Sequence, residues 1–372
     1  MGSILKVDIN EIRENIKRYK HSLGQNNKFC AVVKADAYGV GSRRLCSEIN
    51  DIVDYFAVAL EKEFLEIKNY ITKPVLILDP IYKNITKLAK RDLEFCVSNI
   101  CQFEIFYKLA KRNKDVTYKI HLAINSGMNR FGFSNFDEVI KVFKRCQKAQ
   151  NILIIGIFSH FYQGNNNIIA QMQISKLKSL KTILSLKFDI SKINFHIANT
   201  DGFEVGKTFN MVRIGLGMFL KHNKNTISLI SKIIEIQHIK TNDTVGYNLG
   251  FIAKKDMTVA VVSIGYADGI FRNIAGKGFV LINGKFAKIL AVCMDSIIVD
   301  VTSIEMGLYD DVVLIGKSGN NQIFICDIAS WCDTIEYEIM TRISKRVKRV
   351  FIGGNLDANH NGKIQSKKTC GG

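Results

Sequence analysis

The sequence predicts an α/β protein: a (β/α)₈ TIM-type barrel followed by a C-terminal, mainly-β domain. Three observations carry this. Eight short apolar runs alternate with amphipathic helical stretches up to about residue 230. Polar and charged residues stand immediately after those runs, where a barrel gathers its site residues. Beyond Ser231 the apolar runs become short and alternating, punctuated by Asn283-Gly284 and Ser318-Gly319.

The chain opens with a short apolar segment, Ile4, Leu5, Val7 and Ile9, and a helix is expected from Asn10 through Tyr19. The first barrel strand is Phe29 to Val33. The next seven are Tyr55–Ala59, Pro74–Leu78, Glu94–Val97, Tyr118–Ile124, Ile152–Phe158, Ile193–Ile197 and Met211–Leu216. The clearest connecting helix is Ile168–Leu186, with Ile168, Met172, Leu177, Leu180, Ile183 and Leu184 expected on one apolar face. A doubly wound open sheet is the alternative architecture. The barrel is expected to span residues 10–230 and the β domain 231–354, with residues 1–9 joining the latter in space; the polar stretch 355–372 is expected to be mobile.

The composition suits a large folded globule, with 372 residues, 47% of them apolar. The formal charge of +18 invites a nucleic-acid or membrane-surface reading, but the lysines are dispersed along polar helix faces, including Lys17, Lys20, Lys108, Lys111, Lys176, Lys178 and Lys181. The nine cysteines form an odd set without CxxC spacing, so neither a metal site nor a disulfide framework is expected. No apolar run approaches the length of a membrane span, and the N-terminus lacks an apolar signal core. A soluble cytoplasmic protein with no nucleic-acid partner is the expectation.

The residue that stands out is Lys34, at the end of a run buried on both faces and followed by Asp36, Tyr38, Gly39 and Gly41. A lysine there either snorkels to water or is a desolvated amine, its pKa lowered, poised to condense with a carbonyl. Further polar groups follow the later strands. They are Ser126, Met128 and Arg130 after the fifth, His160 after the sixth, Asn199 and Thr200 after the seventh, and Arg213, Gly215 and Leu216 at the end of the eighth. Thr200 with the backbone amides near Gly215 and Leu216 would supply neutral donors for a phosphate on the last two βα loops.

The segment VVKADAYGVG around Lys34 resembles the cofactor-lysine segment of the alanine racemases, although Val40 replaces the histidine of the usual YGHG. Other segments similar to that family follow in order: NSGMNR (Asn125–Arg130), HIANTDG, VRIGLGMF, VGYNLGF, SIGYADG, VCMD and IEYE. The resemblance runs from about Leu5 to Phe351 and implies a pyridoxal-phosphate amino-acid racemase, with the cofactor as electron sink and the protein supplying orientation and proton transfer.

Carried onto these positions, the resemblance makes Lys34 the cofactor lysine and one base, and Tyr247, contributed by a partner subunit, the other. Tyr38, His160, Asn199, Thr200, Arg213, Gly215, Leu216 and Tyr337 would hold the cofactor. Arg130, Tyr266 and Met294 would hold the substrate, while His196 and Asp295 support the site from behind. The arginine facing the pyridine nitrogen can only donate, which weakens the electron sink and disfavours transamination. A homodimer with shared sites, an amino-acid substrate and a supply of D-alanine for peptidoglycan follow from the same resemblance. In many members a carbamylated lysine precedes an aspartate and steadies the arginine. Here Ala123 and Asn125 stand at those positions, so Arg130 needs chloride or a carboxylate from elsewhere, or is held more loosely. A racemase for serine or several amino acids, and a cofactor-carrying binding protein, are the competing readings, the first because a missing methylene discriminates by only about 1–3 kcal/mol.

Overall fold

The computed structural model describes residues 2–221, 224–247 and 250–354. The stretch 355–372, expected to be a mobile tail, lies outside the described residues.

Strand β1 (Ile4–Asp8) leads into the helix Ile9–Leu23, whose charged ends match the helix dipole, with Glu11 in the first turn and Lys20 and His21 in the last. The barrel strands are β2 (Lys28–Val32), β3 (Tyr55–Val58), β4 (Val75–Ile77), β5 (Leu93–Val97), β6 (Tyr118–Ala123), β7 (Ile152–Phe158), β8 (Asn194–His196) and β9 (Met211–Ile214). Each is hydrogen-bonded in parallel to the next, and β2 pairs with β9, Lys28 opposite Met211, so the sheet closes. Closure excludes the open doubly wound sheet. Phe29, Phe56, Phe95, Phe103, Phe106 and Phe195 are buried, and each ring removed from water adds to the barrel's stability.

Two details of the sequence reading are corrected. The helix expected from Ile168 is Asn167–Ser185, N-capped by Asn166, and the buried face comprises Ala170, Gln173, Ile174, Leu177, Leu180 and Leu184. Ile168 and Met172 are 76% and 69% exposed, because a stripe at the 3.6-residue period through Leu177 and Leu184 runs back through Ile174 and Ala170. The C-terminal region also contains the helices Ile325–Cys332 and Glu336–Arg342, which alternation did not reveal.

The chain divides into two compact units. One, residues 13–37 and 42–218, holds the barrel strands. The other gathers residues 1–12, 38–41 and the chain from Phe219 onward. Its large sheet runs Asn321–Ile323, Asp311–Ser318, Phe279–Ile282, Lys285–Val292, Ile297–Asp300, Met257–Val262, Ile227–Ile239, β1 and Lys348–Ile352. The first strand is antiparallel to Ile227–Ile239, Leu5 opposite Leu229, and parallel to Lys348–Ile352, Leu5 opposite Arg349. Asn283-Gly284 forms the tight turn between two of these strands with φ of 47° and 80°, as the primed hairpin turns require.

Residues 38–41 are pinned within the second unit. Arg349 donates from Nε and Nη2 to the Gly39 carbonyl at 3.0 and 2.8 Å, and also to the carbonyls of Ile343, Ser344 and Val347. Gly39 has a φ of +81°, and a Cβ there would lie 2.5 Å from the Met340 carbonyl oxygen. Both conditions demand glycine.

Candidate active site

Lys34 follows β2 directly and begins a single left-handed turn, in which Ala35, Asp36, Ala37 and Tyr38 have φ of 52°, 54°, 53° and 57°. L-residues avoid this region at about 1–2 kcal/mol each, so the turn is maintained by its partners. Glu63 accepts from the Ala35 amide at 2.6 Å while also accepting from the amides of Ala59 and Leu60. Asp36 Oδ1 accepts from the amide and hydroxyl of Ser42 at 2.7 and 2.9 Å. The lysine is thereby fixed at the C-terminal end of a barrel strand.

Its side chain is half-buried, and its pKa is lowered, first by burial and then by the positive charge of Arg130; Asp79 and Glu63 pull the other way, and Arg213 adds to the lowering. Arg213, on β9, is buried. Its guanidinium lies 5.2 Å from the centre of the Phe158 ring, donates to the Ser159 carbonyl at 2.7 Å, and sits 2.5 Å from His196 Nδ1 and 3.4 Å from His160 Nδ1. Burial lowers it to about 10, which still leaves it charged at neutral pH. His160 is pushed down to about 3 by burial and by Arg213, Arg130 and Lys34, and His196 well below its ordinary range by burial and Arg213, so both rings are neutral.

A pocket formed by the segments after β6 and β7 is lined by Ala123, Asn125, Ser126, Arg130, Phe158 and His160, among others, and none of its lining residues is acidic. Arg130 is exposed, with its guanidinium 4.9 Å from the centre of the Phe131 ring. Ala123 packs with Cys96 and Phe158 in an apolar cluster. Asn125 organises the loop, its Oδ1 accepting from the amides of Gly127 and Asn129, both at 3.1 Å. Ser126 and Ser159 join their hydroxyls at 2.6 Å, and Gln173 donates to Ser126 Oγ and to the His160 carbonyl. Sequence reasoning missed Gln173 and Glu63, since each is a helical residue with no motif around it. On the next loops, Asn199 Oδ1 accepts from the Gly202 amide and Thr200 Oγ1 from the Gly217 amide. Gly215 and Leu216 sit where β9 passes into the single 3₁₀ turn Leu216–Met218.

The remaining candidates lie in the other unit. The Tyr38 ring packs 5.8 Å from that of Tyr337. Tyr247, just after the short strand Thr244–Val245, is 57% exposed. The Tyr266 amide donates to the Cys293 carbonyl and that of Ala267 to the Met294 carbonyl, so the two loops are bound together. Gly265 makes this possible, since a Cβ there would lie 2.3 Å from the Met294 oxygen. Arg346 bridges the same loops by pairing with Asp268 and Asp295. Among the described residues no cluster of His, Cys, Asp or Glu has metal-binding geometry.

The donor set at the barrel mouth fits pyridoxal phosphate. A desolvated amine can bond its aldehyde, a donor-only guanidinium can face its ring nitrogen, and hydroxyl and backbone N–H groups after β8 and β9 can take its phosphate.

Fold and site together define a TIM-barrel protein with a half-buried lysine at a strand C-terminus, a pocket after β6 and β7, and a second, mainly-β unit. The chain belongs to the alanine racemase family: residues 7–222 match the family's N-terminal domain and residues 226–351 its C-terminal domain. It is 31% identical to alanine racemase 2 of Caldanaerobacter subterraneus, covering 94% of both chains. Among solved structures, it resembles the alanine racemase of Bacillus anthracis with bound L-Ala-P at a TM-score of 0.86 and 29% identity, over 94% of this chain and 95% of that one. It also resembles that of Bartonella henselae with covalently bound pyridoxal phosphate, at a TM-score of 0.84 and 25% identity, over 95% of this chain and all (100%) of that one.

Proposed function

We propose that the protein interconverts L- and D-alanine, using pyridoxal phosphate and two bases on opposite faces of the substrate. The observation that carries this reading is Lys34: a strand-end amine whose charge is disfavoured by burial and by Arg130, and so can be uncharged when a base is needed. Pyridoxal phosphate, when bound, supplies the electron withdrawal that acidifies the α-proton. Lys34 Nζ takes or returns that proton on one face. The Tyr247 hydroxyl of a second subunit does so on the other, which accounts for an exposed tyrosine beside a strand end and makes a homodimer part of the mechanism. Arg130, Tyr266 and the backbone at Met294 orient the substrate carboxylate, with Asp295 steadying the last loop through Arg346.

Arg213 would donate to the ring nitrogen without giving up its proton, in an orientation that His196 fixes. Neutral His160 would face the cofactor ring, and Tyr38, Tyr337, Asn199, Thr200, Gly215 and Leu216 would hold the phosphate end. The eight described cysteines are all free thiols, which suits a reducing cytoplasm. Among the described residues no helix is long and apolar enough to cross a membrane. D-alanine for peptidoglycan is the product's natural use. The test is D-alanine formation from L-alanine by purified protein with added pyridoxal phosphate, alongside Lys34→Ala and Tyr247→Phe. Turnover by the wild type, with loss of the cofactor's visible absorbance in Lys34→Ala, supports the assignment; an intact chromophore without alanine turnover redirects it to serine or other amino acids.

A further inference from the structure

A line of polar side chains runs inside the barrel to Arg213, and the reaction as described does not use its two far members. Glu94 on β5 and His121 on β6 are both buried, in strands whose other buried residues are hydrophobic. Glu94 Oε2 lies 2.7 Å from His121 Nε2, His121 Nδ1 lies 3.1 Å from His196 Nε2, and His196 Nδ1 lies 2.5 Å from Arg213 Nη1. The Tyr55 hydroxyl approaches the other Glu94 oxygen at 3.5 Å. The arrangement is sterically reserved: a Cβ at Gly156 would lie 2.2 Å from His121 Nδ1 and 2.6 Å from its Cε1, so only glycine on β7 leaves room for that ring.

The two ends of this line determine the direction of every hydrogen bond in it. A guanidinium has no acceptor, so His196 Nδ1 accepts from Arg213 and the His196 proton sits on Nε2. That proton is donated to His121 Nδ1, which leaves the His121 proton on Nε2, facing Glu94. Glu94 Oε2 is the acceptor that this N–H meets, so the line closes consistently.

We propose that Glu94 and His121 are positioning residues for Arg213: the guanidinium fixes the tautomer of His196 and through it that of His121, and Glu94 anchors the far end of the line by accepting from His121 Nε2, so that the guanidinium is held with its other N–H groups directed at Ser159 and His160. The catalytic consequence rests on the reading of Arg213 as the group that faces the cofactor; the tautomer assignment does not.

The experiment uses the holoenzyme labelled with ¹⁵N-histidine. In the wild type, His121 and His196 should each show a single tautomer, with Nδ1 unprotonated and Nε2 protonated. Glu94→Leu removes the acceptor at the end of the line while keeping much of the bulk, so the His121 N–H is left unpaired, the ring loses its single arrangement and a second set of imidazole signals should appear. The kcat should fall at least about tenfold while KM for L-alanine changes less than about twofold. Glu94→Gln, whose amide oxygen can still accept, should keep the single tautomer and part of kcat, and Gly156→Ala, which displaces the His121 ring without touching any charge, should reproduce the loss. A folded Glu94→Leu protein with unchanged imidazole signals, or a Gly156→Ala protein with wild-type kcat, overturns the proposal. The signals are read without turnover, so their failure leaves the racemase reading intact, whereas a wild type that shows the expected tautomers but does not racemise alanine overturns that reading alone.

Discussion

Arg213 Nη1 and His196 Nδ1 are 2.5 Å apart inside the barrel, with both side chains sealed from solvent. Replacing the arginine by an apolar residue of similar length would orphan the Ser159 carbonyl and His196 Nδ1. Arg213→Met is therefore expected to cost about 3–5 kcal/mol of folding stability in the cofactor-free protein. Urea denaturation checks this, and a loss under about 1 kcal/mol would show that the line of polar groups reorganises freely.

The neutral histidines make stability depend on pH in a definite direction. His160 is held down at about 3 and His196 well below its ordinary value, so the unfolded chain binds protons that the folded one does not. Their contribution is complete above the unfolded pKa near 6.5 and is lost as pH falls below it, at up to about 1.4 kcal/mol per pH unit for each ring. Urea midpoints measured between about pH 7.5 and pH 5 should fall with acidification, and His160→Gln should show a shallower dependence. Parallel curves would contradict the assignment for His160.

Arg130 is exposed, and its pocket contains no acidic lining residue. Its attraction for a substrate carboxylate should then be screened by salt: KM for L-alanine is expected to rise several-fold between about 0.01 and 1 M ionic strength, where the Debye length shrinks from about 30 to 3 Å. The kcat should change little. A KM that instead falls on adding chloride would show that a bound anion orders this arginine.

Gly39 combines a φ of +81° with a Cβ position 2.5 Å from a backbone oxygen. Gly39→Ala is expected to destabilise the protein by at least about 2 kcal/mol, read from chemical denaturation. Gly24, also at positive φ but with nothing within 4 Å of its Cβ position, serves as the comparison and should lose less.

The barrel was legible because its strands, three to seven residues long, fall in apolar runs with polar punctuation, as in Ile152–Phe158, where the boundaries coincide with the reading. Strand ends elsewhere differ by a residue or two, which is the reach of a side-chain pattern that does not record hydrogen bonds. The helix at Asn167 was found but its face was misjudged, because Ile168 and Met172 are apolar residues that solvent simply tolerates. The helices Ile325–Cys332 and Glu336–Arg342, eight and seven residues long, are too short for a 3.6-residue period to declare itself. In the site, the motifs supplied the candidates. The left-handed turn after Lys34 could not, since Ala35, Asp36 and Ala37 carry no glycine signal and are kept there by the distant Glu63 and by Ser42. Glu94 and His121 did leave a trace, a carboxylate and an imidazole inside apolar strands, and a search for charged residues in barrel runs would have paired them.

The grip of Arg349 on the Gly39 carbonyl spans 310 residues of sequence. On a ribosome adding about 5–20 residues per second, the lysine-bearing strand emerges roughly 15–60 s before the arginine that anchors the segment following it. The barrel strands are all synthesised by residue 214, so their sheet can close while residues 38–41 still lack their final hydrogen bonds. The fixing of residues 38–41 thus waits for the arrival of the last strand, and a chain truncated before Lys348 would have Lys34 but not the clasp on Gly39.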